Sequence, residues 1–119
     1  MNPNLRIDEW KIIEEGFDQK LNRASESIFS IGNGHMGQRA NFEESYSGDS
    51  LRGSYVAGVY YPDKTRVGWW KNGYPEYFAK VLNSPNWIGI NIRVNGDEVD
   101  LAKCEVKSFR RVQIGRAHV

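Results

Sequence analysis

A chain of 119 residues that is 39% hydrophobic, with four Trp, six Tyr and five Phe, is long and apolar enough for one domain with a core. Sixteen basic against fifteen acidic side chains leave a net charge of +1, spread without runs of one sign, so neither nucleic acid nor anionic membrane is an expected partner. No apolar run approaches the roughly 18 residues of a membrane helix and no basic-then-apolar leader opens the chain, which reads as a cytoplasmic protein.

Twelve glycines break the chain into short runs, which favours strands and turns over amphipathic helices. Residues 10–15 fit either a short strand or one helical turn. Residues 27–31 are rich in β-branched and aromatic side chains and are predicted as a strand ending at Gly32-Asn33-Gly34. Residues 53–61 are predicted as a second strand, closed by a turn at Pro62-Asp63. Residues 74–82 fit a helix or a strand. Ile88, Ile90, Ile92 and Val94 then alternate with Gly89, Asn91 and Arg93, the period of a strand with one buried face. That segment runs into Asn95-Gly96, the dipeptide that best supplies two positive φ values for a type I′ hairpin, and Val99 and Leu101 open the returning strand. Residues 106–112 are strand-like as well. The fold class predicted is all-β and mainly antiparallel. Cys104 excludes an internal disulfide and reads as an inert core or strand residue.

Several motifs invite a chemical reading. Gly32, Gly34 and Gly37 match the G-x-G-x-x-G dinucleotide fingerprint. A pyrophosphate site needs a helix to start there, and residues 38–42 carry no 3.6-residue period, so Gly32, Asn33, Gly34 and Gly37 are read as a structural turn. Glu43, Glu44 and Asp49 are close in sequence, and a carboxylate pair is the apparatus of glycoside hydrolysis. Adjacent strand residues face opposite ways, however, and loop carboxylates near Arg39 and Arg52 are expected to be solvated or ion-paired. His35 and His118 have no partners at ligand spacing, so no metal site is expected. Tyr60, Tyr61, Trp69, Trp70, Tyr74, Tyr77 and Phe78 crowd around residues 63–66. Trp69, Trp70, Tyr74 and Arg66 are therefore candidates for sugar stacking, against the plainer reading of core or domain interface.

The end of the chain differs from the rest. Residues 114–119 back-translate into one frame of a widely used sequencing adapter. The expectation is that residues 113–119 are a non-native read-through tail, and that the natural sequence departs near Val112 and continues.

The run Glu26-Ser27-Ile28-Phe29-Ser30-Ile31-Gly32-Asn33-Gly34-His35-Met36-Gly37-Gln38-Arg39, with Phe42-Glu43-Glu44 after it, resembles the amino-terminal domain of glycoside hydrolase family 65. Tyr46-Ser47-Gly48-Asp49, Gly53-Ser54-Tyr55-Val56-Ala57-Gly58-Val59 and Pro62-Asp63-Lys64-Thr65-Arg66-Val67-Gly68-Trp69-Trp70-Lys71-Asn72-Gly73-Tyr74-Pro75 resemble its maltose-acting members in particular. The resemblance implies that residues 1–112 are the first part of a β-sandwich of the supersandwich, galactose-mutarotase-like type. A helical linker, an (α/α)6 barrel and a small carboxy-terminal β domain would lie outside the chain. It further implies an inverting phosphorolysis of maltose to β-D-glucose 1-phosphate and D-glucose, with inorganic phosphate as co-substrate and without metal or organic cofactor, in an enzyme that is a homodimer at full length. One barrel glutamate would act as general acid while phosphate takes the place of the hydrolytic water, so none of the residues present is expected to be catalytic. The alternatives are kojibiose, trehalose or nigerose as the disaccharide, a related hydrolase, and a free-standing carbohydrate-binding sandwich.

Overall fold

The computed structural model describes residues 2–65, 73 and 75–115. These form ten short strands, one α-helix and a 3-10 turn, so the chain is all-β and antiparallel apart from the helix. The first sheet joins β1 (Leu5–Ile7), β2 (Lys11–Glu15) and β10 (Arg110–Ile114), with β2 in the middle. Its register sets Arg111 opposite Glu14 and Val112 opposite Ile13. Cross-strand partners share a face, so the charged pair lies on one side of the sheet and the apolar pair on the other. Residues 10–15, open between two readings, are thus a strand.

Asp18 caps the 3-10 turn Gln19–Leu21 by accepting from the Lys20 N–H at 2.9 Å, and the chain continues into α1 (Asn22–Ile28). This corrects the strand predicted over residues 27–31. Ser27 and Ile28 are helical, Phe29 is the carboxy-terminal cap, and only Ile31–Gly32 is extended, as β3. The face α1 buries consists of Asn22, Ser25, Glu26 and, just beyond its end, Phe29, which is the 3.6-residue spacing of a helix written mostly in polar side chains. Ala24 and Ile28 are exposed.

The second sheet has the order β3, β4 (Met36–Gln38) and β5 (Ser54–Val56). A turn at Ala57 and Gly58 separates β5 from β6 (Tyr60–Lys64), so the single strand predicted over residues 53–61 is two. Pro62 and Asp63, expected to close that strand, lie inside β6, where Pro62 stands opposite Ala79 of β7 (Tyr77–Val81). Among the described residues β6 has one neighbour, and a strand edge left open on one side tolerates a residue without an N–H. The fourth sheet is the hairpin of β8 (Arg93–Val94) and β9 (Asp97–Glu98). Asn95 and Gly96 both take positive φ, 53° and 92°, as a type I′ turn requires. The half-buried strand predicted over residues 88–94 is paired only at its last two residues. Cys104 is exposed in the turn that follows, not in a core.

The core is aromatic and small. Phe17, Phe42, Phe109 and Tyr46 pack ring against ring, with centroids 5.0 to 6.1 Å apart and mostly edge-to-face, an arrangement worth about 0.5–1.5 kcal/mol per pair beyond the area buried.

Candidate functional site

The most elaborate side-chain arrangement lies where α1 meets β2 and β10, and it is built from charges. Glu14, Asn22, Ser25 and Glu26 are all buried, Glu26 completely. Burying a carboxylate without partners costs several kcal/mol, so each must be surrounded by donors. Glu26 Oε1 accepts from Asn22 Nδ2 at 3.0 Å and Ser50 Oγ at 2.5 Å, and its Oε2 accepts from the Leu51 N–H at 2.9 Å, with the Arg39 guanidinium 3.7 Å away. Glu14 accepts from the Ser25 hydroxyl, from Asn2 Nδ2 at 3.1 Å and from Arg111 Nη1 at 3.1 Å. Arg111 also reaches Asn22 Oδ1 at 3.4 Å and lies over the rings of Phe29, Phe42 and Phe109, 5.3 to 5.7 Å from their centroids. Burial draws the Arg111 guanidinium below the usual arginine value, opposed by Glu14 and Glu26.

This network binds helix to sheet. A general acid must present a carboxyl to the reacting atoms, and the Glu26 oxygens are each held by protein donors. Arg39 belongs to the same assembly, donating from Nε to the Leu51 carbonyl at 2.7 Å and from Nη2 to the Arg23 carbonyl at 3.0 Å, while Asp49 pairs with Arg23 at 3.5 Å.

Beside the network opens a cleft of about 540 Å³ lined by Phe29, Phe42, Phe109, Arg111, Glu43 and Glu44 among others. The expectation that Glu43 and Glu44 face opposite ways is corrected. The chain bends at both residues and brings both to the cleft, and their carboxylates have no ion pair or hydrogen bond among the described residues. Sequence reasoning missed Glu14, Glu26 and Arg111 altogether. A signal was present, since Asn22, Ser25, Glu26 and Phe29 share helical spacing, but it is not a hydrophobic one.

Gly32, Asn33, Gly34 and Gly37 form the β3–β4 hairpin. Asn33 Oδ1 accepts from the N–H groups of His35 and Met36 at 3.0 and 2.8 Å, and Gly34 has φ +87°, so the side chain of Asn33 and the freedom of Gly34 together make the turn. A strand, β4, follows the loop, where a pyrophosphate site would need a helix to start. Arg66, Trp69, Trp70 and Tyr74 lie outside the described residues, as does His118. Among the described residues no group of three or more His, Cys, Asp or Glu side chains could hold a metal ion, and no helix is long and apolar enough to cross a membrane.

A third polar region gathers around Asp100. Its carboxylate accepts from the N–H groups of Ser47 and Ala102 at 3.1 and 3.0 Å and pairs with Lys103 at 3.4 Å. Hydrogen bonds from Ser47 lead the causes that hold its pKa down to about 2.

The model of the glycosyl hydrolase family 65 N-terminal domain matches residues 12–112. Maltose phosphorylase of Bacillus subtilis (strain 168) is 56% identical over 105 residues, which are 88% of this chain and 14% of that protein. Kojibiose phosphorylase of Thermoanaerobacter brockii is 30% identical over 112 residues, 94% of this chain and 13% of that protein. A solved chain assigned as a kojibiose phosphorylase from the human microbiome superposes with a TM-score of 0.79 at 34% identity, covering 93% of this chain and 15% of that one. The chain thus spans about one-seventh of the length of these relatives.

Proposed function

Because the chain belongs to glycosyl hydrolase family 65, in its amino-terminal domain, we propose that it is the first part of a disaccharide phosphorylase whose substrate is maltose. The observation that carries this reading is the 56% identity to a maltose phosphorylase, against 30% to a kojibiose phosphorylase over a similar span. The reaction would be maltose and phosphate to β-D-glucose 1-phosphate and D-glucose. A phosphate oxygen attacks the anomeric carbon from the face opposite the glycosidic bond, that bond breaks, and a carboxylic acid gives its proton to the departing oxygen. Inversion at carbon follows from the single displacement.

Within that enzyme this segment is structural. Its buried carboxylates are held by donors, and the general acid is assigned to a barrel outside the chain. Residues 1–112 would be opening strands of a β-sandwich, in a cytoplasmic homodimer that uses phosphate and no metal or organic cofactor. Arg66, Trp69, Trp70 and Tyr74 would contribute to domain contact or sugar contact.

The test is an assay of the 119-residue chain beside the longer protein that contains it. The chain alone should release no glucose 1-phosphate. The longer protein should convert maltose strictly with phosphate and give the β anomer by NMR. Glucose released from maltose without phosphate, or a preference for kojibiose, would overturn the assignment.

A further inference from the structure

The geometry points to a binding site for a neutral polyhydroxylated ligand, a single sugar ring, in the cleft between residues 45–47 and the 98–103 turn. This goes beyond the phosphorolytic reading and does not rest on it.

The cleft, of about 330 Å³, is lined by Ser45, Tyr46, Ser47, Arg52, Glu98, Asp100 and Lys103. That volume is at the lower end of small-molecule sites, which run from roughly 300 to 1,000 Å³ and bury most of their ligand. The walls are fixed to one another. The Leu101 N–H donates to the Ser45 carbonyl at 3.1 Å, the Ser47 N–H donates to Asp100 Oδ1 at 3.1 Å, and the Ser45 hydroxyl donates to Glu98. Gln19 Nε2 holds the outer turn by donating to the Ala102 carbonyl at 3.1 Å. The cleft therefore exists before any ligand arrives, which spares the cost of ordering it.

Its chemistry selects the class of ligand. Two cations, Arg52 and Lys103, face two anions, Glu98 and Asp100, so a charged ligand of either sign meets as much repulsion as attraction. A sugar hydroxyl both donates and accepts, and the same wall offers carboxylate acceptors, guanidinium and ammonium donors, and serine hydroxyls that do both. Two groups are unspent. Arg52 has no ion pair or hydrogen bond among the described residues, although it carries five N–H donors. Tyr46 is 8% exposed, and its buried hydroxyl has no hydrogen-bond partner. Native proteins leave few buried polar atoms unpaired, and Tyr46, one of the residues lining this cleft, carries such an atom, packed against Gly48.

The experiment is hydrogen exchange read by mass spectrometry on the longer protein that contains this chain, titrated with D-glucose and with maltose. Expected is a saturable slowing of exchange at residues 43–52 and 97–104, with no other part of residues 2–115 protected. Arg52→Ala, an exposed position whose change leaves the fold intact, should weaken binding about tenfold, the loss of one charged hydrogen bond. Ser45→Ala should weaken it too. No saturable protection at those residues, protection at other residues of this segment instead, unchanged affinity in both variants, or inorganic phosphate competing for the site would each overturn the proposal.

Discussion

Arg111 is the residue on which most of the buried charge depends. It faces Glu14 across the strand pair at 3.1 Å, touches Asn22 and lies over three phenylalanine rings. Removing one partner of a buried ion pair strands the other, which costs more than the pair contributes. Arg111→Ala should therefore destabilise the chain by about 3–5 kcal/mol, read as a lower urea midpoint. Replacing both charges with apolar side chains of similar volume, Glu14→Leu with Arg111→Met, should recover most of that loss, because the uncompensated carboxylate is then gone. A double variant as unstable as Arg111→Ala alone would show that the guanidinium acts through its aromatic contacts instead.

At the scale of elements, the turns at Gly32-Asn33-Gly34 and Asn95-Gly96 were legible, while the helix and the true position of the turn placed at Pro62-Asp63 were not. Asn95-Gly96 announced its hairpin because positive φ at two successive positions is a demand of local geometry, met by the residues themselves. Gly96→Ala should accordingly cost roughly 1–2 kcal/mol of left-handed backbone strain and weaken the cross-strand contacts of Arg93 with Glu98, which NMR would detect. The unaltered contacts of a relaxed turn would contradict this. Helix α1 escaped because periodicity is sought in apolar residues, and its buried face is Asn22, Ser25 and Glu26. Residues 88–92 failed for the opposite reason. Their alternation is correct for a strand, but backbone bonds reach them singly, from the Ile90 N–H to the Glu43 carbonyl and from the Val99 N–H to the Ile92 carbonyl, without a ladder, and Ile90 and Ile92 remain 49% and 40% exposed. The site suffered likewise: the pairing of Glu14 with Arg111 spans 97 positions, beyond any local pattern, and the bend that turns Glu43 and Glu44 to one cleft has no residue signature of its own.

The whole molecule is spread out. Its Cα radius of gyration is 18.1 Å, against about 13.5 Å expected for a compact domain of this length. Among the described residues only Ile13, Phe29 and Tyr46 are buried hydrophobics, while Tyr60, Tyr61, Tyr77, Phe78 and Val81 of the β6–β7 ribbon are each about half exposed or more. A two-stranded ribbon is marginal in water unless its face is covered. The 119-residue chain should bind the dye ANS strongly and sediment as concentration-dependent oligomers, and the longer protein should do neither. A soluble monomer with a sharp cooperative melt would refute this.

The ion pair between Glu14 and Arg111 also has a meaning in time. A ribosome adding roughly 5–20 residues per second makes the carboxylate about 5–20 seconds before its guanidinium, since 97 positions separate them. Through that interval Glu14 has, among the described residues, Asn2 and Ser25 to hold it, and the buried face of α1 is polar apart from Phe29 just beyond its end. The first sheet of the nascent chain is thus completed only when β10 arrives, and Arg111 then joins a helix already tied to β2 through Ser25 and to residues 50 and 51 through Glu26.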